Sequence, residues 1–144
     1  MVEGVNNILV TKDIIKKISS TESPQPIIGV CKYFDDFEID NSKRVLLLDN
    51  LQDPGNVGTL IRSALGFGVD TVVLSKGSVY IYNEKMIRAT QGAIFKVDVL
   101  EKDLAEVINE LKKKDVKVFG TSLQNGKNLT SFGKIERYAL VLGN

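Results

Sequence analysis

Residues 48–64 have the sequence Leu-Asp-Asn-Leu-Gln-Asp-Pro-Gly-Asn-Val-Gly-Thr-Leu-Ile-Arg-Ser-Ala, and this stretch decides the fold. The apolar run at 45–48, which leads into it, is typical of a strand buried on both faces of a parallel sheet. Asp53-Pro54-Gly55 indicates a turn, because proline fixes φ and glycine permits unusual dihedral angles. From Val57 the apolar residues recur at helical spacing. The stretch therefore predicts a buried strand, a turn and a helix.

The polar residues of this joint are suited to binding an anion. Asn56 can cap the predicted helix, Gly58 permits close backbone approach, and Arg62 lies a little over one turn into the helix. A helix N-terminus and a guanidinium group both attract phosphate. From these residues alone, a purely structural joint is an equally good interpretation, since such joints occur throughout parallel α/β domains.

Two common phosphate-binding fingerprints are excluded. A P-loop needs a lysine directly after its second glycine, and no lysine follows Gly58. A dinucleotide-binding loop needs three spaced glycines directly after a strand. The pair Gly66 and Gly68 lacks the third glycine and follows a predicted helix. A nucleotide-binding domain of another type is therefore disfavoured.

Strands alternate with helices after this joint. The strand-like segments lie at 71–74, 93–97, 116–120 and 138–143, and the helical segments lie at 57–65, 84–89 and 104–111. This alternation predicts an α/β fold with a mostly parallel sheet flanked by helices. Ligands of such sheets bind beyond the carboxyl ends of the strands, where the joint at 48–64 also lies.

The N-terminal residues carry weaker patterns. Thr11 is expected to cap a short helix, which the prolines within 19–26 end because proline lacks the amide donor. A strand is predicted at 27–33, and 35–43 is the candidate linker. Cys31, the only cysteine, is expected to pack as a small hydrophobe in a reducing compartment.

Composition excludes several classes of function. The formal net charge of +1 over 144 residues means that a nucleic acid would have to be held by a local patch. The chain has no histidine and one cysteine, so it predicts no metal site, no disulfide and no cysteine-pair redox motif. No apolar stretch approaches the roughly 18 residues that span a membrane, and no signal peptide is recognisable. A cytoplasmic location without a membrane partner is expected.

Within the joint, Asp53-Pro54-x-Asn56-x-Gly58-Thr59-x-x-Arg62-Ser63-Ala64 combines many residues at fixed spacing. This pattern resembles the first signature motif of the SpoU (TrmH-like) RNA 2′-O-ribose methyltransferases of the SPOUT superfamily. Other segments resemble the same family. Residues 75–93 resemble the middle of its ribosomal-RNA branch, and residues 120–121 resemble a cofactor-proximal loop. Residues 138–144 resemble the start of its second motif, and residues 8–34 resemble the end of a preceding RNA-binding domain. Glu84 departs from the family, where a proline is expected.

The resemblance implies a trefoil-knot fold and two domains. Residues 1–40 would be the C-terminal remnant of an RNA substrate-binding domain with its linker, and 41–144 a partial methyltransferase domain. In the family the second motif continues with Glu-Gly, and a third motif and a final helix complete the knot. The chain is therefore expected to be truncated at both ends, to lack the knot-forming part, to be inactive alone and to bind cofactor weakly.

The resemblance also implies methyl transfer from S-adenosylmethionine to a ribose 2′-hydroxyl of structured RNA, with ribosomal RNA favoured over transfer RNA. It assigns the general base to Arg62. Arginine side chains stay protonated in proteins, and a nearby phosphate favours the charged form, so a phosphate clamp is the competing hypothesis for Arg62. Asn56 would either orient Arg62 or the substrate, or serve as a plain helix cap.

Further residues follow from the same resemblance. The cofactor side would include Thr121, Leu142, Gly143 and Asn144. Arg62, Lys76, Lys85 and Arg88 are candidate RNA contacts, although solvated surface charge is the better explanation for each of the last three when it is taken singly. Tyr80 and Tyr82 could stack on bases or simply pack. The family implies a homodimer, and the alternative function is a non-catalytic RNA-binding module that retains the fold.

Overall fold

The structure is a computed structural model that describes residues 2–34, 38–39, 42–122, 124 and 126–143. It divides into two compact units, Met1–Asp35 and Asp36–Asn144. The boundary falls within the predicted linker at 35–43. The domain assignment of residues 1–40 and 41–144 is not tested by this division and stays a prediction.

The second unit contains a sheet of five parallel strands in the order β3-β2-β1-β5-β4. The strands are β1 Arg44–Asp49, β2 Thr71–Leu74, β3 Asp98–Glu101, β4 Lys117–Gly120 and β5 Tyr138–Gly143. The predicted parallel α/β fold is confirmed. In the central register Leu48 lies between Leu74 and Leu142, and Asp49 lies beside Gly143. The polar residues that follow the buried strands therefore gather at one edge.

Helices cover both faces of the sheet, because its central strands alternate between two apolar cores. Helices α2 (Pro54–Gly66) and α3 (Glu84–Ala89) pack on the face that carries Leu46 and Leu48, together with the short 3-10 helix Ala93–Phe95. Helix α4 (Leu104–Lys113) packs on the opposite face, against Val45 and Leu47. No helix in the described part of the chain is long and apolar enough to cross a bilayer.

The first unit contains helix α1 (Lys12–Ile18), and Thr11 caps it by accepting a hydrogen bond from the Ile14 amide at 3.4 Å. The strand predicted at 27–33 is wrong, since no strand is present among residues 2–34. A strand needs a neighbouring strand for its backbone hydrogen bonds, and a single sequence does not reveal that partner. Cys31 is exposed rather than packed, which corrects the second expectation for this region.

The segment predicted as extended at 93–97 begins instead as the 3-10 helix Ala93–Phe95, and strand β3 starts at Asp98. Gly92 precedes this helix with a φ of +83°, a conformation that redirects the chain. Ala93 and Ile94 are buried in the core on the α2 side. Burial explains the error, because a short apolar run does not distinguish a strand from a helical turn.

Gly58 brings helices α2 and α3 into direct backbone contact. A methyl group built on Gly58 would lie 2.5 Å from the Ala89 Cβ and 2.7 Å from the Met86 carbonyl oxygen. Gly58 is one of the buried residues of α2. The close approach expected from the sequence is therefore made by α3, and it fixes where α3 lies beside the joint.

We expect Gly58→Ala to lower the free energy of unfolding by about 1–3 kcal/mol, since the added methyl group overpacks this contact. Gly66→Ala is the matched control, because a methyl group there meets no atom of the described part of the chain within 4 Å. It should leave stability unchanged or raise it by up to ~1 kcal/mol. Urea unfolding measures both, and equal stability of the two variants would contradict the assigned contact.

Candidate active site at the carboxyl edge of the sheet

Asp53, and not Asn56, caps helix α2. The Asp53 carboxylate accepts a hydrogen bond from the Asn56 amide at 2.7 Å, and Pro54 occupies the first helical position. Proline is favoured there because its missing amide would have no helical partner. The interpretation of Asn56 as a helix cap is wrong. Its side chain is exposed, and it forms no hydrogen bond within the described ranges.

Arg62 lies on the exposed side of α2, about two turns from the cap, because the helix begins at Pro54 rather than at Val57. Helix α2 contains no acidic residue, and among the described residues no carboxylate lies within ion-pair distance of Arg62. Its positive charge is therefore not neutralised by the residues described. A guanidinium in this state can bind phosphate without first breaking an internal ion pair.

The cofactor-side residues predicted from the sequence lie at the ends of β4 and β5. The Thr121 amide and hydroxyl both donate to the Val141 carbonyl oxygen, at 3.3 and 3.4 Å. Leu142 is half-buried against the core on the α2 side, and Gly143 is exposed at the end of β5. Because adjacent parallel strands end together, Thr121 and Gly143 are brought to the same edge. Asn144 lies outside the described residues.

Neither backbone conformation nor packing in this chain requires a glycine at 143. A methyl group built there would meet the Asp49 Cβ at 3.4 Å, which is ordinary van der Waals contact, and its φ is not in the left-handed region. The exposed backbone leaves room for a ligand to approach β5.

The candidate RNA contacts do not form one group. Lys85 and Arg88 are exposed on α3, on the same side of the sheet as α2. Lys76 lines a cleft of about 350 Å³ on the α4 side, together with Asp49 and Asp103. Lys76 therefore lines the α4 side of the carboxyl edge, whereas Lys85 and Arg88 lie on the α2 side, which the sequence could not indicate.

Arg88 forms an ion pair with Glu84 one turn earlier on α3, at 3.7 Å, and the two side chains are 53% and 66% exposed. Such exposed pairs contribute only about 0.3–0.5 kcal/mol. Glu84, where a proline was expected, therefore offsets part of the charge of Arg88. A proline would also suit this first helical position, so the glutamate changes the charge of the surface and not the start of the helix.

Two tyrosines lie in the loop between β2 and α3. Tyr80 and Tyr82 are in edge-to-face contact, with their ring centroids 5.6 Å apart. Tyr82 packs against the core on the α2 side, whereas Tyr80 is 54% exposed. Packing accounts for Tyr82, and base stacking by Tyr80 stays a prediction.

Sequence reasoning did not single out Asp49, whose exposed carboxylate ends β1 beside Gly143. The available signal was its position as the first polar residue after a buried apolar run. A larger cleft, of about 530 Å³, lies along α4 and β4 between Lys112 and Phe132. It contains none of the predicted site residues, and the carboxyl edge remains the candidate site.

Comparison with known proteins gives a consistent result. Residues 43–144 match the model of the SpoU rRNA Methylase family. The chain is 38% identical over 141 residues to the 23S rRNA (guanosine(2553)-2′-O)-methyltransferase RlmP of Bacillus subtilis, covering 98% of this chain and 56% of that protein. It is 34% identical over 125 residues to the human mitochondrial rRNA methyltransferase 3, covering 81% of this chain and 30% of that protein.

Solved structures agree with these relatives. A protein from Porphyromonas gingivalis assigned to the TrmH family of RNA methyltransferases superposes with a TM-score of 0.74 at 30% identity, covering 90% of this chain and 53% of that one. An AdoMet-bound rRNA methyltransferase from Sinorhizobium meliloti superposes with a TM-score of 0.66 at 26% identity, covering 71% and 40%. The chain spans about half the length, or less, of the relatives that it matches.

The cap assignment can be tested by stability alone. We expect Asp53→Ala to lower the free energy of unfolding by about 1 kcal/mol, because the Asn56 amide loses its acceptor. Asn56→Ala should change it by less than ~0.5 kcal/mol, since that side chain is exposed. Denaturant titration of both variants measures the free energy of unfolding. A larger loss of stability in Asn56→Ala than in Asp53→Ala would show that Asn56 is the cap.

Proposed function

The chain belongs to the SpoU rRNA methylase family, and from this premise we propose that it transfers a methyl group from S-adenosylmethionine to a ribose 2′-hydroxyl of structured RNA. Ribosomal RNA is the proposed substrate, because the B. subtilis and human relatives are both named rRNA methyltransferases. The observation that carries the proposal is Arg62, which lies exposed at the motif joint with no carboxylate in ion-pair distance among the described residues.

The proposed reaction needs the ribose oxygen to be oriented and to lose its proton during attack. S-adenosylmethionine supplies an electrophilic methyl group on a sulfonium, so the new O–C bond forms as the C–S bond breaks. In our account Arg62 binds the phosphate next to the target ribose and holds the hydroxyl in line. The hydroxyl proton passes to phosphate or water, because a guanidinium that remains protonated is a poor acceptor. Asn56 orients Arg62 or the ribose through its side-chain carboxamide, which forms no hydrogen bond among the described residues.

The ends of β4 and β5 fit a cofactor in this proposal. The exposed glycine at 143 allows a ligand to approach the backbone closely, and the Thr121 hydroxyl lies at the same edge. Leu142 offers a half-buried apolar surface beside them. Asn144 stays part of the proposed cofactor set on the sequence resemblance alone.

RNA recognition is proposed to involve the cations on the α2 side, Arg62, Lys85 and Arg88, with Lys76 as a separate contact across the sheet edge. Residues 1–40 are proposed to belong to an RNA-binding domain, as the resemblance of 8–34 implies. A homodimer, which the family resemblance implies, and a cytoplasmic location, which is the expectation from the sequence itself, complete the proposal.

Replacing Arg62 tests the proposed function most sharply at the residue level. We expect Arg62→Lys to lower the single-turnover rate of RNA methylation by about 10²-fold or more, because a lysine cannot reproduce bidentate phosphate binding. Arg137→Lys, which makes the same chemical change in an exposed residue before β5, is the control and should keep the wild-type rate. Near-full activity of Arg62→Lys would exclude both the clamp and the base.

Replacing Gly143 tests the cofactor side. Gly143→Ala should leave the thermal midpoint unchanged, because among the described residues the added methyl group meets only Asp49, at ordinary contact distance. It should weaken S-adenosylmethionine binding at least ~10-fold, or about 1.4 kcal/mol, by obstructing the ligand. Calorimetry of the protein as its gene encodes it gives the affinity, with Gly66→Ala as the control. Unchanged affinity in Gly143→Ala would remove Gly143 from the site.

A further inference from the structure

The chain turns directly after β1, and the residue at the turn has a backbone conformation that residues other than glycine rarely adopt. Asn50 has a φ of +51°, and the residues that follow lead through Asp53 into helix α2. A non-glycine residue in the left-handed region persists when its surroundings hold it, and such residues concentrate at functional sites. The contacts that hold Asn50 therefore bear on the position of α2 and Arg62.

Two serines from the loop after β2 hold this reversal. The Ser75 hydroxyl accepts a hydrogen bond from the Asn50 amide at 2.8 Å, and the Ser78 hydroxyl accepts one from the Leu51 amide at 3.2 Å. The two hydroxyls lie 3.2 Å apart, so they also interact with each other. The Val79 amide donates to the Leu51 carbonyl oxygen at 2.9 Å. Both backbone amides of the reversal are thus satisfied from one neighbouring loop.

The loop that supplies these hydroxyls is itself a tight turn. The Ser78 amide donates to the Ser75 carbonyl oxygen at 3.1 Å, and Gly77 has a φ of +93°. Ser75 is only 9% exposed, which limits the freedom of its hydroxyl. The turn at 75–78 therefore fixes the positions of the two serine hydroxyls, and the hydroxyls in turn fix the positions of the amides of residues 50 and 51.

We propose that Ser75 and Ser78 are positioning residues for methyl transfer: their hydroxyls hold the Asn50–Leu51 reversal and so fix Arg62 relative to the ribose. This inference rests on the proposed function. Its physical basis is that a displacement of about 1 Å can lower a reaction rate 10²-fold even when binding is kept. The serines themselves need not touch RNA or cofactor.

The test compares Ser75→Ala and Ser78→Ala with Ser131→Ala in the protein as its gene encodes it. Ser131 is a matched control, since its hydroxyl also makes one backbone hydrogen bond, to the Asn128 carbonyl oxygen at 2.6 Å, outside the site. Single-turnover rates at saturating RNA and S-adenosylmethionine are measured per folded molecule. The KM for RNA and amide hydrogen exchange at residues 50 and 51 are measured in parallel.

We expect each site variant to lose about 10- to 100-fold in the saturated rate, with KM for RNA changed less than about twofold. Amide exchange at 50 and 51 should accelerate in these variants and not in Ser131→Ala. Ser78→Thr, which keeps the hydroxyl oxygen, should recover most of the rate. Should Ser75→Ala not fold, Ser78→Ala and Ser78→Thr decide the question alone.

Wild-type rates per folded molecule in both alanine variants would overturn this inference while leaving the proposed function intact. A rate loss that Ser78→Thr does not reduce would also overturn it. A wild-type protein that methylates no RNA would overturn the proposed function first, and this inference with it. The wild-type measurement therefore separates the two failures.

Discussion

Strand β1 pairs with β2 on one side and with β5 on the other, and all three run in the same direction. Because Val45, Leu47 and Leu48 are completely buried, polar residues are tolerated only at the two ends of the strand, and Asp49 is the one at the carboxyl end. Parallel pairing makes the neighbouring strands end at the same edge. The joint at 48–64, the serine turn after β2 and the exposed glycine that ends β5 meet there for this single reason.

Local patterns predicted the parts of the fold that local physics determines. The strand, turn and helix at 44–66 were recognisable because burial, proline and helical spacing all act within a few residues. The cap was assigned to Asn56 because the helix was predicted to begin at Val57, whereas it begins at Pro54 and is capped by Asp53. The strand predicted at 27–33 failed for a different reason, since pairing depends on residues distant in sequence.

The arrangement of charge could not be predicted from the sequence. Lys76 and Lys85 are only nine positions apart, yet the first lines the α4 side of the carboxyl edge and the second lies on the α2 side. The ion pair of Arg88 with Glu84 is the exception, because the helix predicted at 84–89 already placed these two residues one turn apart. With a net charge of +1, recognition of RNA would depend on a local patch of cations. Arg62 differs from Arg88 in having no carboxylate partner among the described residues.

The proposed function is tested most directly by a map of ribose 2′-O-methylation in the ribosomal RNA of cells that lack the gene. We expect one methylated position to be lost and the wild-type gene to restore it. A gene carrying Arg62→Ala should not restore it, although the variant protein accumulates. Retention of every 2′-O-methyl group in cells without the gene, or full restoration by Arg62→Ala, would contradict the proposal.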